Sequence, residues 1–443
     1  MARKKTKVNA HLVVKIILNK LAPKPNPEDS NRVYPEYGGQ SLVNIPHMVM
    51  GILGVKTKGI PINKKLYDKK IDLRGIRKVV VILLDGFGYR MWLDSNSEPG
   101  FFNKLSSKGL LIPITTAFPS TTAVGITTIS TGLEPARHGL PEWVVYMKEI
   151  RLIVNTLPFT MFIAEKKVDL GELGYNTKIL YNGDTVYMQM KRSHVKSFAI
   201  IEKDLVGSAY TNLTKKGSVA MPFIKPSDGI IRLRELINSK SGPAYLHFYS
   251  DNIDKVTHEY GPFSVQSRAE IASMSHAFEH NLLVGVERAA AKETLIIVTA
   301  DHGHIKVDPD KVIYLNGDKR LMKYLAIDHG RKILPTGSPR NVFLHISPRY
   351  LTEAFNHLTS RFGGKAKVMY SKDAIRLGLF GDSKPVRRLV DRIGDIIIFP
   401  DSNGLIWYEH MKGKKHTFKG VHGGLSADEM LIPLGMARLS DLL

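Results

Sequence analysis

The 443-residue chain contains no cysteine. This absence excludes disulfide bonds, thiolate metal sites and cysteine nucleophiles together. Long apolar runs are also missing, because no stretch reaches the roughly 20 apolar residues that a membrane-spanning helix needs. Any metal ligand must therefore come from carboxylates, hydroxyls or the 16 histidines, and such ligands suit zinc, magnesium or manganese.

Acidic residues are scarce relative to basic ones: 41 aspartates and glutamates stand against 63 lysines and arginines, for a formal charge of +22. The resulting positive field concentrates anions such as nucleotides, nucleic acid or acidic lipid head groups. A general basic bias of the surface explains the same charge equally well. Hydrophobic residues at 43% and charged residues at 23% are typical of a globular protein with one large α/β core or two domains.

The first 20 residues, MARKKTKVNAHLVVKIILNK, combine a basic start with a short apolar stretch. Lys15 interrupts that stretch and no small-residue cleavage site follows, so a secretory signal is not indicated. We expect an amphipathic helix in a cytoplasmic protein, with association at a membrane surface as the alternative. Residues 1–70 as a whole are predicted to form an N-terminal extension that wraps the core.

Two segments, RKVVVILLDGFG and ETLIIVTADHGH, contain continuous apolar runs at 79–84 and 295–299. Continuous rather than alternating hydrophobicity indicates strands buried on both faces, as in a parallel sheet covered by helices. Asp85 follows the first run, and Asp301 and His302 follow the second, at the sheet edge where open α/β folds bind ligands. One such carboxylate could simply cap a helix, but two at the same edge favour a metal site.

The stretch FPSTTAVGITTISTG, residues 118–132, follows a further predicted strand. Its proline ends that strand, its three hydroxyl residues offer an N-cap, and a helix is predicted until Gly132. Thr122 then lies at a helix N-terminus, where backbone amides favour an anion such as phosphate. Taken alone, these hydroxyls are explained by capping, since a hydroxyl becomes a nucleophile only when a base or metal activates it.

Three more residues fit a metal site. Asp254 and His258 stand four apart after a predicted strand at 244–249, which places both on one face of a helical turn. His422 lies in the glycine-bracketed loop VHGGLS, where it can approach a metal closely. Surface pairs with the spacing of Asp254 and His258 are common, so this pair alone does not establish a metal site.

The pattern changes between 305 and 417 to short strand-like runs and helices. We predict a core over 71–320, a small inserted α+β subdomain over 321–415 and a return to the core over 416–443. The insert could cap the site and set substrate preference, or it could only extend the sheet.

Five blocks, LLDGFG, FPSTTAVGITTISTGLEPARHG, DNIDKVTHEYGP, VTADHGH and VHGGLS, resemble in this order the alkaline phosphatase superfamily. The resemblance is closest to its type I phosphodiesterase/nucleotide pyrophosphatase branch. It implies an α/β fold with a mostly parallel central sheet sandwiched by helices. It also implies hydrolysis of a small anionic phosphate ester, such as a nucleotide.

The resemblance further implies two divalent metal ions, usually zinc, with manganese or magnesium as alternatives. One ion would be held by Asp85, Thr122, Asp301 and His302, and the other by Asp254, His258 and His422. Thr122 would be the nucleophile and would form a threonyl-phosphate intermediate that water then hydrolyses.

One departure from the family concerns the residues after the HG of the nucleophile block. Nucleotide pyrophosphatases usually carry an asparagine there that contacts a phosphate oxygen, whereas this chain has Glu142 and Trp143. The preference for diesters is therefore open, and a phosphomonoesterase or phosphonate hydrolase on the same scaffold is the alternative. A non-enzymatic nucleic-acid-binding protein is the second alternative, suggested by the charge. Four further basic residues are placed outside the site. His304 is expected to be a solvated loop histidine, and a chain this basic contains residues such as Arg137, Lys306 and Arg340 by chance.

Overall fold

Seven strands form a central sheet in the computed structural model, which describes residues 32–240 and 242–443. Across the sheet the strands lie in the order Leu110–Thr115, Leu431–Arg438, Thr294–Thr299, Lys78–Leu84, Ala244–Ser250, Lys196–Glu202 and Val219–Phe223. Only Leu431–Arg438 runs antiparallel to its neighbours, so the other strands of this sheet all point the same way. The predicted α/β fold with a mostly parallel sheet is confirmed.

The three strands at the centre of the sheet are buried along their whole length, as their continuous apolar sequences predict. Leu84 pairs with Ser250, and Leu83 pairs with Thr299. Because the strands are parallel and in this register, the residues that follow them emerge together at one edge. That edge carries the site described below.

Helices flank the central sheet and bury their apolar faces in its core. They are Asn44–Ile52, Tyr89–Ser95, Phe101–Lys108, Thr122–Thr131, Val186–Arg192, Ala209–Thr214, Pro226–Asn238, Asn252–Tyr260, Val265–Phe278 and Arg288–Lys292. The short helices Pro135–His138 and Ala427–Met430 pack instead in a separate apolar cluster. Within the described residues, no helix is long and apolar enough to cross a membrane.

A second sheet of seven strands is antiparallel throughout. Its order is Ala366–Tyr370, Ile396–Pro400, Asn341–Leu344, Thr336–Ser338, Val144–Met147, Leu152–Asn155 and Thr160–Met161. The helices Lys319–Tyr324, Leu351–Phe362, Ser371–Arg376 and Arg387–Ile393 accompany it. The sheet joins strands from both sides of the predicted boundary at 320. The division of the chain into 71–320, 321–415 and 416–443 stays a prediction.

The described part of the N-terminal extension is tied to the core. The Leu42 backbone N–H donates to the Thr115 carbonyl at 2.9 Å. His47 Nε2 donates to the Gly132 carbonyl at 2.8 Å, at the end of the helix Thr122–Thr131. The amphipathic helix predicted within residues 1–20 lies outside the described residues.

Candidate active site

The first group of the site surrounds the carboxylates that follow the central strands. Asp85 and Asp301 are both buried, and the Tyr249 hydroxyl donates to Asp85 Oδ2 at 2.6 Å. Gly125 permits the close approach of the neighbouring helix, because a Cβ there would lie 2.5 Å from the Cβ of Asp301. The sheet edge and the helix Thr122–Thr131 thus meet at these carboxylates.

Thr122 is distinguished from its neighbouring hydroxyl residues by where its side chain points. Its Oγ1 lies 3.1 Å from His302 Nε2 and 3.5 Å from Asp85 Oδ1. Ser120 instead donates to the Gly424 carbonyl at 2.8 Å. Thr121 is the residue at the N-cap position, yet no side chain caps this helix terminus. The capping explanation therefore fails for all three hydroxyls.

The second group lies beside the first. Asp254 and His258 share one face of the helix Asn252–Tyr260, as their spacing predicts. Asp254 Oδ2 is 3.4 Å from His258 Nε2, which is 3.3 Å from His422 Nε2. The rings of His422 and His302 stack with their centroids 3.6 Å apart, which joins the two groups. The structure thus brings all seven predicted residues together, while their roles as ligands stay predictions.

Four histidines in the site share one arrangement: each Nδ1 contacts a backbone carbonyl. The partners are Gly420 for His258, Gly303 for His302, Gly86 for His304 and Ser120 for His422, at 2.8, 3.1, 3.2 and 3.0 Å. A carbonyl oxygen only accepts hydrogen bonds, so Nδ1 carries the proton in each ring. In its neutral form, each ring therefore presents the lone pair of Nε2 to the carboxylates, as a metal-ligating histidine does.

The inward-facing Nε2 atom of His302 lies beside carboxylate oxygens, which are also hydrogen-bond acceptors. His302 Nε2 lies 3.2 Å from Asp85 Oδ1 and 3.5 Å from Asp301 Oδ2. The pKa of Asp301 is raised well above its usual value, because burial and the Asp85 charge disfavour a second carboxylate there. Burial lowers the pKa of His302, but the charges of Asp301 and Asp85 outweigh it and raise the pKa to about 10. The proton on His302 therefore supplies the positive charge beside these carboxylates, a charge that a divalent ion would also supply.

Two sets of residues can each hold an ion, with their ligand atoms within 4.8 Å of one another: Asp85, Asp301 and His302, and Asp254, His302, His304 and His422. The donors are carboxylate oxygens and imidazole nitrogens, which fit a divalent ion such as zinc. The residues present therefore fit a metal centre.

Comparison with known proteins agrees with this geometry. A family model described as type I phosphodiesterase / nucleotide pyrophosphatase matches residues 79–425. The chain belongs to this family. It is accordingly a metal-dependent phosphoric ester hydrolase. A search of curated proteins gives no match.

Solved structures of ectonucleotide pyrophosphatase/phosphodiesterase 5 share the fold. The inactive murine protein in complex with AMP is 17% identical, with a TM-score of 0.61 over 82% of this chain and 88% of that one. The human protein is 19% identical, with a TM-score of 0.61 over 81% of this chain and 87% of that one. At these identities the likeness concerns the fold alone.

The expectation that His304 is solvated is wrong for this member of the phosphodiesterase family. A histidine in this loop is expected to be solvated, whereas His304 is 1% exposed and its Nε2 lies 3.1 Å from Asp254 Oδ1. The available signal was the alternation in DHGH, which in an extended segment turns His302 and His304 toward the same side.

The other basic residues lie outside the site. Arg340 is not solvated but buried, with a bidentate pair to Glu429 at 2.9 Å for both contacts. Arg137 and Lys306 are exposed.

A cavity of about 920 Å³ opens from the site, and Asp85, Thr122, Asp254, His258 and His422 form part of its wall. Aromatic side chains also line it, including Trp143, Phe162, Trp407 and Phe418, whose ring centroid lies 4.5 Å from that of His258. Glu142 and Trp143, the two residues that depart from the family pattern, also border this cavity. Burial raises the pKa of Glu142 to about 7, and Trp143 is 41% exposed.

Proposed function

We propose that the protein hydrolyses nucleotide phosphodiesters or pyrophosphates with Thr122 as the nucleophile and two divalent metal ions as cofactors. The observation that carries the proposal is the position of the Thr122 hydroxyl at a helix N-terminus. There it faces buried carboxylates and the inward lone pair of His302.

One ion would be held by Asp85, Thr122, Asp301 and His302, and the other by Asp254, His258 and His422. When bound, such ions lower the pKa of a coordinated hydroxyl and neutralise charge on a phosphoryl group. We propose zinc because imidazole nitrogens are numerous in the site, with manganese and magnesium as alternatives.

The chemistry of the chain itself is a two-step displacement. Thr122 Oγ1 attacks phosphorus, the bond from phosphorus to the leaving oxygen breaks, and the phosphoryl group becomes esterified to Thr122. Water then cleaves the threonyl-phosphate and restores the hydroxyl. Backbone amides at the start of the helix Thr122–Thr131 supply donors for the phosphoryl oxygens.

A nucleotide substrate is supported by the murine relative in complex with AMP and by the net charge of +22. The aromatic lining of the cavity offers surfaces on which a base can stack. A phosphomonoesterase or phosphonate hydrolase is the second candidate, because Glu142 and Trp143 stand where the family's asparagine would contact phosphate. A cytoplasmic location stays a prediction from the N-terminal sequence.

The decisive experiment compares bis-p-nitrophenyl phosphate with p-nitrophenyl phosphate in the presence of zinc or manganese. We expect the diester to be the faster substrate, and a faster monoester would favour the second candidate. Thr122→Ala should abolish turnover while metal remains bound, as measured by elemental analysis. Thr121→Ala is the matched control, because its hydroxyl has no partner among the described residues and should be dispensable. A fully active Thr122→Ala enzyme would refute the nucleophile assignment.

A further inference from the structure

Residues 56–77 form a basic segment outside the candidate active site. The segment contains eight lysines and arginines against two aspartates, so about a twentieth of the chain carries six of its 22 net positive charges. Its six lysines are all exposed: Lys56, Lys58, Lys64, Lys65, Lys69 and Lys70. Both of its arginines are exposed as well. The segment is far more basic than the chain as a whole, so a general basic bias does not explain it.

Core packing fixes the direction in which the basic segment presents its charges. Its apolar residues, including Ile62, Ile71 and Ile76, are buried in the core of the central sheet. The basic side chains are therefore held on the outer side of the segment. Among the described residues, Arg74 is the only one of the eight that pairs with a carboxylate, that of Asp72 at 2.8 Å. The other charges are available to an anionic partner.

The basic segment lies at the edge of the central sheet opposite to the candidate active site. It leads into the strand Lys78–Leu84, and Asp85 follows the other end of that strand, roughly 20 Å away at about 3.3 Å per residue. Arg438, the last residue of the antiparallel strand, donates to the carbonyls of Asp72 and Arg74 at 2.8 and 2.6 Å. A large partner bound to the segment would therefore leave the cavity open to substrate.

The side chains of the basic segment fit an acidic lipid surface better than they fit nucleic acid. Most of its cations are lysines, whereas recognition of nucleic-acid phosphates favours the planar fork of arginine. Its only aromatic residue, Tyr67, is buried and offers no surface on which a base can stack. Ile60 lies in sequence between Lys58 and Lys64 and is 56% exposed. An apolar side chain among lysines is suited to enter a lipid interface.

We propose that the basic segment binds the surface of membranes that contain anionic lipids. The exposed lysines and arginines are attracted by the negative potential of such a surface, and Ile60 adds apolar contact with the lipid interface. The proposal does not depend on the reaction at Thr122, because the segment and the cavity lie at opposite edges of the central sheet.

The test measures binding of the full chain to phosphatidylcholine vesicles, with and without phosphatidylglycerol, by flotation in a density gradient. We expect binding only to vesicles with phosphatidylglycerol, and its loss in about 1 M salt, where the Debye length is about 3 Å. A variant that combines Lys64→Glu, Lys65→Glu, Lys69→Glu and Lys70→Glu should bind these vesicles about 100-fold more weakly, or weaker still. Undiminished binding by this variant would overturn the proposal.

The matched control reverses four exposed lysines that accompany the second sheet: Lys319→Glu, Lys323→Glu, Lys365→Glu and Lys372→Glu. This variant has the same net charge as the first, and we expect it to retain most of the vesicle binding. An equal loss in both variants would show that the net charge binds the vesicles rather than the basic segment, and would contradict the proposal. Circular dichroism checks that both variants fold.

Ile60→Ser distinguishes a lipid surface from nucleic acid, and it also serves if the first variant does not fold. It should weaken vesicle binding about fivefold through lost apolar contact and leave the affinity for a short DNA duplex unchanged. An Ile60→Ser protein that binds vesicles as tightly as the wild type would count against the proposal. Loss of duplex binding with retained vesicle binding in the Lys64–Lys70 variant would assign the segment to nucleic acid and overturn the proposal.

Discussion

Removing His304 should weaken one metal ion and leave the other in place. His304 Nδ1 donates to the Gly86 carbonyl, and Nε2 lies 3.1 Å from Asp254 Oδ1 without a hydrogen bond between them, so its lone pair is available to an ion that Asp254 would hold. Losing even a residue that only supports a ligand typically lowers metal affinity by about 10–100-fold, and we expect a loss of this size here. Since each factor of ten is about 1.4 kcal/mol, the expected loss is about 1.4–2.8 kcal/mol at the ion held by Asp254.

The assay is a zinc titration of metal-free protein against a chromophoric chelator, which resolves two dissociation constants. In His304→Ala the dissociation constant of the ion held by Asp254 should rise about 10–100-fold. The dissociation constant of the ion held by Asp85 should change less than threefold. His345→Ala is the control, because His345 is also buried but lies next to the second sheet. A folded His304→Ala protein with both constants unchanged would show that the ring does not support the metal centre.

Three further changes have defined outcomes. Glu429→Gln leaves the buried Arg340 without its charged partner and should cost about 3–5 kcal/mol in urea unfolding. Lys215 is buried, its Nζ donates to the hydroxyls of Ser130 and Tyr187, and burial lowers its pKa to about 7. Lys215→Met should therefore stabilise the protein by on the order of 4 kcal/mol at pH 6, with a smaller gain at pH 10. The folded pKa of Lys215 lies below the unfolded one, so the charge penalty is complete below pH 7 and fades as the pH rises. Tyr249→Phe removes the 2.6 Å hydrogen bond to Asp85 and should weaken zinc binding about tenfold in the chelator assay.

The parts of the site that sequence reasoning found are those fixed by strand direction. Asp85 and Asp301 follow continuous apolar runs, and such runs belong to strands buried on both faces. Parallel pairing then brings the ends of the strands to one edge, whatever the rest of the chain does. The spacing of Asp254 and His258 correctly predicts that they share one helix face, because the geometry of one helical turn is local.

The parts that sequence reasoning missed depend on contacts between distant segments. His304 is buried because the loop at Gly86 and the helix Asn252–Tyr260 pack against it, and no local sequence pattern predicts that contact. The second sheet pairs Val144 with Gly337, across nearly two hundred residues, through strands too short to show a clear period. The family motif alone distinguishes Thr122 from the neighbouring hydroxyl residues in the sequence. The physical reason for that distinction is the direction of its side chain toward Asp85, which only the folded structure shows.

Glu142, which stands near the position of the family's asparagine, cannot take over the role of that asparagine. One oxygen of Glu142 accepts from Asn341 Nδ2 at 2.9 Å, and the other accepts from the Trp143 backbone N–H. A carboxylate engaged in this way cannot act as the amide donor that the family's asparagine supplies. Another donor that borders the cavity must then orient the phosphate, and the backbone amides at the start of the helix Thr122–Thr131 are donors of that kind. Diester preference then depends on how well these amides and the metal ions alone orient the phosphate group.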